Sequence, residues 1–202
     1  YNAVMAYCIE KDALGLTIVS SPFASPEHCR RLDEILRADF RDQRVCQIAV
    51  LPSAEVSDRG QYVAIVMNTL KGRCRTACRK AEQQGFELRS AATKSEVMEL
   101  AALHRRNIGN RGGICKSKEF FSKVFELTQS TDGVSSIDLL LHKGRVAAGV
   151  IFFEFGPFVE YHTIGIHEDY RSSGAINFIV RERMVDAGMR GRKIMNFGGT
   201  WL

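Results

Sequence analysis

The chain has 202 residues, a mass of 22.6 kDa, a formal net charge of +5 and a pI of about 9.0. Its apolar and charged fractions, 45% and 25%, are those of a globular domain and exclude a disordered or fibrous chain. That length holds one sizeable core or two small intimate lobes, and the mild basic excess favours anionic partners such as phosphates, nucleotides or RNA without choosing among them.

In chain order, residues 7–10 and 16–19 read as short strands. Ser25 and Pro26 open a helix to about Phe40, because proline is favoured at the first helical position; Leu32, Ile35, Leu36 and Phe40 give it an apolar stripe. Residues 44–51 form a strand, 52–60 a loop, and 62–67 a further apolar run. One helix is predicted from about Asn68 to Gln84, with Leu70, Cys74, Ala77, Cys78 and Ala81 on one face and Gly85 as its stop. Residues 86–89 form a strand. Thr93-x-x-Glu96 is a capping box for a helix that turns Val97, Leu100, Ala101 and Ile108 inward. Asn110-Arg-Gly-Gly113 breaks the chain, and a helix after Ser117 carries Phe120, Phe121, Val124 and Phe125. Asp132-Gly133 leads into a hairpin over residues 137–155 with its tip at Lys143-Gly144. A third strand covers 158–166. Ile176, Val180, Met184 and Ala187 mark the last helix, and residues 192–197 the last strand.

The six cysteines, at 8, 29, 46, 74, 78 and 115, contain no Cys-x-x-Cys and read as reduced thiols, as expected of a cytoplasmic protein. Cys74 and Cys78 fall on the apolar helix face, and no metal-ligand spacing accompanies them or the histidines, so no metal is expected. The longest apolar run, 146–153, is far shorter than the roughly 20 residues of a membrane helix, and no signal-peptide layout is present. A chain that opens on Tyr1 and stops after Trp201-Leu202 is expected to be a piece of a longer protein.

Two features favour anion binding. The third strand hands off through Tyr170-Arg-Ser-Ser-Gly174 to a helix, whose start has free backbone N–H groups. Arg171, Ser172, Ser173, Gly174 and Ala175 are therefore candidates to hold the phosphates of a donor; an ordinary helix cap with a solvated arginine is the alternative. Lys71, Arg75 and Arg79 lie four residues apart on the basic helix and are candidates for a diphosphate or a tRNA backbone, or else a solvated face.

From Phe86 onward the order is strand, helix, helix, strand, strand, strand, helix, strand. Short turns make the three middle strands antiparallel, and the strand–helix–strand ends favour parallel crossovers. The order resembles the GNAT acyltransferase fold, and more closely its FemABX branch. The resemblance rests on Arg79-Lys-Ala-Glu-Gln-Gln-Gly85, Phe120-Phe121, Gly165 with Tyr170-Arg171, Asp186-Ala-Gly188 and Asn196-Phe-Gly-Gly199. It implies an α+β fold, a mixed and mostly antiparallel sheet with helices on both faces. Residues 68–202 would be a GNAT-like domain, and residues 1–67 the end of a preceding GNAT-like lobe. FemABX proteins carry an aminoacyl group from aminoacyl-tRNA to a cell-wall precursor, while relatives near them use acyl-CoA. The resemblance therefore implies an N-acyltransferase with either donor and an amine acceptor. Ile176 stands where the GNAT phosphate loop has Gly or Ala, a departure that weighs against acetyl-CoA. The segment with a basic residue that follows the Gly-Gly strand in the family has no counterpart in residues 1–202.

Amine acylation needs a neutral amine, a stabilised oxyanion and a competent leaving group. Glu160 and His162, two apart on the third strand, are expected to share one face, with Tyr161 and Thr163 on the other. Either Glu160 or His162 is placed to accept the amine proton, and Tyr161 to protonate the leaving group. The competing readings make Glu160 the partner of a helix arginine, His162 a semi-buried residue with its hydrogen bonds met, and Tyr161 plain core. A non-catalytic lobe that uses its basic helix to hold RNA or another anionic partner is the alternative from outside enzymology.

Overall fold

The structure, a computed structural model, describes residues 2–12, 24–36, 44–53, 56–131 and 133–201. Two compact units divide it: residues 1–46 with 199–202, and residues 47–198. The smaller unit holds α1 (Asn2–Glu10), α2 (Pro26–Leu36) and the start of β1 (Arg44–Val50). The expected strand at 7–10 is instead the second half of α1. Helix-forming Ala3, Met5 and Ala6 carry those four residues with them. Residues 16–19 and 37–40 lie outside the described residues. Ser25 does cap α2, its hydroxyl accepting from the His28 N–H at 3.1 Å. The expected apolar stripe of α2 is not buried among the described residues, and Ile35 is exposed.

After the rest of β1, the larger unit has two helices where one was predicted: α3 (Arg59–Thr69) and α4 (Gly72–Glu82). Leu70 and Lys71 between them are extended, with ψ of 146° and 151°. Asp58 starts α3 by accepting from the Gln61 N–H at 2.7 Å. The run 62–67 is therefore helical and buries Tyr62 and Val66, which are four residues apart. Then come β2 (Glu87–Ser90), α5 (Lys94–Gly109), α6 (Lys118–Ser130), β3 (Ser135–His142), β4 (Arg145–Phe155), β5 (Phe158–Ile166), a 3-10 turn (Glu168–Tyr170), α7 (Ala175–Met189) and β6 (Ile194–Trp201). The capping box on α5 is complete: Thr93 accepts from the Glu96 N–H, and the Glu96 carboxylate accepts from the Thr93 N–H.

The sheet order is β1-β6-β5-β4-β3-β2. The pairs β2–β3, β3–β4 and β4–β5 are antiparallel, and β5–β6 is parallel. Each face has its own core. On one, α5 and α6 bury Leu100, Phe121 and Val124 against Ile137, Leu139 and Ile151. On the other, α3 and α7 bury Tyr62, Val66, Ile179 and Val185 against Leu140, Val150, Phe152 and Val159.

Two close approaches set helix positions. Gly149 and Gly165 are cross-strand partners, and a Cβ on Gly165 would lie 2.9 Å from the Leu100 carbonyl oxygen and 3.0 Å from the His104 nitrogen. α5 thus rests on bare backbone. On the other face, the Tyr62 ring fills the space where Gly188 lacks a side chain, and its hydroxyl donates to the Pro52 carbonyl at 2.6 Å. Buried Arg183 anchors α7 to the sheet, with Nε donating to Asp138 at 2.9 Å and Nη1 to Glu154 at 3.4 Å. Glu154 also accepts from Arg190 and Arg192.

Candidate active site

The candidate site lies where β5 loses a neighbour. β5 pairs with β6 only at Phe158, Val159 and Glu160. On its other side it stays paired with β4 to Ile166, but Phe152 faces Tyr161 while Ile151 faces Thr163. His162 is therefore the extra residue of a β-bulge, a device that re-aims side chains. It corrects the expected alternation. Thr163, opposite Ile151, lies on the α5–α6 face with Glu160 and His162, while Tyr161 faces α7.

The edge of β5 beyond Glu160 is not bare. His104 Nδ1 meets the Ile164 carbonyl at 2.8 Å. Asn107 donates to the Ile166 carbonyl at 2.9 Å and accepts from the Ile166 N–H at 2.7 Å. Both side chains are buried on α5, and they satisfy the strand groups as a neighbouring strand would. Neither residue stood out in the sequence. Their one clue is polarity on a helix stripe otherwise destined for the core.

His162 is half-buried. It stacks on Phe120 at 5.6 Å, meets Phe153 edge-on at 5.0 Å, and its Nδ1 lies 2.7 Å from the Thr163 hydroxyl. Burial, then the nearby charge of Lys116 and His104, holds its pKa below the ordinary value, so the imidazole is neutral at pH 7. Glu160, also half-buried, has no hydrogen-bond or ion-pair partner among the described residues, which removes the expected alternative of a helix arginine. Burial pushes its carboxyl above the usual range. Tyr161 packs on Phe152 and Phe197, and burial pushes its phenol up to about 12. It stays protonated and can donate a hydrogen bond. The Glu160 carboxyl and the His162 imidazole thus lie on one face of β5 and the Tyr161 phenol on the other.

Tyr161 also lines a cavity of about 450 Å³ on the α7 face. Leu70, Cys74 and Cys78 form one side of it and Ile176, Val180 and Phe197 others. Burial raises the Cys78 thiol to about 11, so it is a packing group and not a nucleophile.

The loop before α7 has an occupant already. A Cβ on Gly174 would overlap the Ala77 carbonyl oxygen of α4, and Gly174 holds φ of +83°. Lys80 donates to the Ser172 carbonyl at 2.9 Å. The Ser173 hydroxyl accepts from the Ala175 N–H at 3.2 Å and donates to the Tyr170 carbonyl at 2.6 Å. Ser173 and Ala175 are buried, while Arg171 and Ser172 remain exposed. Of the basic stripe, Lys71 falls in the break before α4, Arg75 turns back to donate to the Leu70 carbonyl at 2.5 Å, and Arg79 is exposed. Among the described residues, no helix is long and apolar enough to cross a membrane and no side-chain group would hold a metal ion.

Likeness to known proteins agrees with this geometry. FemX superposes with a TM-score of 0.70 at 12% identity over 98% of this chain and 67% of that one. L-PGS from Bacillus licheniformis gives 0.57 at 12% identity over 86% of this chain and 50% of that one. At such identities the likeness is one of fold. No curated protein matches in sequence. The acetyltransferase (GNAT) domain family matches residues 68–200, well over half the chain. The mixed sheet, the parting of β5 from β6 and that match together place this chain in the GNAT acetyltransferase-domain family, as an acyltransferase.

Proposed function

We propose that this acyltransferase moves an aminoacyl group from an aminoacyl-tRNA to an amine on a cell-envelope precursor. The observation that carries the choice of donor is α4 lying across the start of α7. A compact pyrophosphate needs close approach to backbone N–H groups at that helix end. Here Ala77 abuts Gly174, Ser173 caps Ala175, and Ile176 adds a branched side chain. A donor gripped elsewhere, along a much longer phosphate backbone, avoids that obstruction. Glu160 or His162 takes the proton from the attacking amine as the new amide bond forms and the ester bond to the donor breaks. Tyr161 is assigned the hydrogen bond to the departing oxygen. Arg171 and Ser172, which stay exposed, and the Lys71–Arg75–Arg79 stripe are assigned to the donor's phosphates.

The likeness to FemX over 98% of the chain favours this reading over acetyl-CoA. Calorimetry with acetyl-CoA is the test. Binding weaker than micromolar is expected. Binding at micromolar or better, about −8 kcal/mol, would transfer the assignment to an acyl-CoA enzyme.

A further inference from the structure

A second cavity, of about 340 Å³, lies on the opposite face of the sheet from the α7 cavity. It is lined by Ala101 and Ala102 and by four cations, Arg105, Arg106, Lys116 and Lys118. The arrangement follows from helix spacing. Arg105 and Arg106 stand one turn beyond the two alanines on α5, so small residues leave room beneath long cationic ones. Lys116 and Lys118 flank Ser117, the N-cap of α6, whose hydroxyl accepts from the Phe120 N–H at 3.1 Å.

Three observations converge on an anion. All four cations are exposed, and none has a carboxylate partner among the described residues. By contrast Arg59, Arg89, Arg181, Arg183, Arg190 and Arg192 are all ion-paired. The cavity also lies at the first turn of a 13-residue helix, where the backbone dipole is positive and a lysine is otherwise unfavourable. Four cations around one cavity repel one another until an anion enters. The three cations of the Lys71–Arg75–Arg79 stripe line neither cavity.

We propose that this cavity binds the phosphate or diphosphate group of a small-molecule ligand. Its volume suits one or two phosphates and their first waters. Lys116 sits over the Phe120 ring at 5.5 Å, and that ring stacks on His162. A ligand anchored here by its phosphate therefore extends along the α5–α6 face toward the proton acceptors. The proposal concerns the acceptor side and does not rest on the identity of the donor.

The test is titration of the protein with inorganic pyrophosphate, read by calorimetry and by backbone amide shifts. Saturable binding should move the amides of Ala101, Ala102 and Lys116. The variant R105Q/R106Q/K116Q/K118Q should lose at least tenfold in affinity, with a flatter dependence on salt. K94Q/R145Q, which removes two exposed cations outside the cavity, should bind as the parent does. All four cavity side chains are exposed, so the variant should keep its thermal midpoint. No saturable binding, shifts confined to the start of α7, or equal affinity in the cavity variant would overturn the proposal. A cavity that answers to tRNA and not to pyrophosphate would overturn it too.

Discussion

Glu160 and His162 differ in what a substitution should reveal. Glu160 has no side-chain partner among the described residues, whereas His162 packs on Phe120 and Phe153 and meets the Thr163 hydroxyl; burial favours the neutral form of both, which leaves the imidazole able to accept a proton. In the intact enzyme, E160Q or H162A should lower turnover by roughly 10²–10⁴ if that residue is the acceptor. KM should change little, because proton transfer is felt mainly in the transition state. A double variant with near-normal turnover would shift proton transfer to water or to the substrate. His162 adds a pH signature. Its folded-state pKa lies below the ordinary value of about 6.5. As pH falls through that value, the unfolded chain takes up a proton that the folded chain refuses, so stability declines and levels off below the lowered pKa. H162A should abolish this part of the acid decline, as followed by urea unfolding between pH 7 and pH 5.

Among the elements, α4 and β5 show where the sequence spoke and where it was silent. The order of strands after Phe86, the Thr93–Glu96 box and the hairpin tip at Lys143-Gly144 were legible because turn and cap chemistry is local. The break at Leu70-Lys71 was not, since apolar residues at helical spacing run across it without a proline. The bulge at His162 was also hidden: one extra residue changes neither composition nor apparent alternation, yet it moves Thr163 to the opposite face. His104 and Asn107 could not be assigned because their partners are backbone atoms of a strand some 60 residues away. The cover over the α7 start depends on a contact between distant helices, Ala77 to Gly174, which no local pattern announces. Two penalties meet at Gly174, a positive φ and an occupied Cβ position. G174A should therefore lower the thermal midpoint, whereas G144A, with only its φ of +75° against it and open space around it, should lower it less. Differential scanning calorimetry of the two variants checks the ranking.

Over the whole larger unit, the ionic cluster around Arg183 ties α7 to the middle of the sheet. Asp138 on β3 and Glu154 on β4 both point to that one guanidinium, and all three are buried. R183M would leave Asp138 without its cation in the interior. It should cost about 3–5 kcal/mol in denaturant unfolding, the usual penalty for removing one partner of a buried pair. R183M/D138L should recover much of that loss, because the isolated charge disappears with its partner. Lack of recovery would mean that packing, and not charge, sets the cost. Glu154 keeps Arg190 and Arg192 in either case, which separates its contribution from that of Asp138.

The contact of Tyr62 with Gly188 has a consequence for where this domain can be cut. Family resemblance starts at residue 68, inside the last turn of α3, but the fold's own seam lies earlier. Tyr62 plugs the notch in α7, and Val66 and Leu51 close the same core. A chain trimmed to the recognisable family segment would lose the plug and keep the notch. The exposed back of α7 would become a sticky surface, and the trimmed protein would be prone to self-association. The segment that looks like a mere approach to the enzyme is, in mechanical terms, its lid from behind.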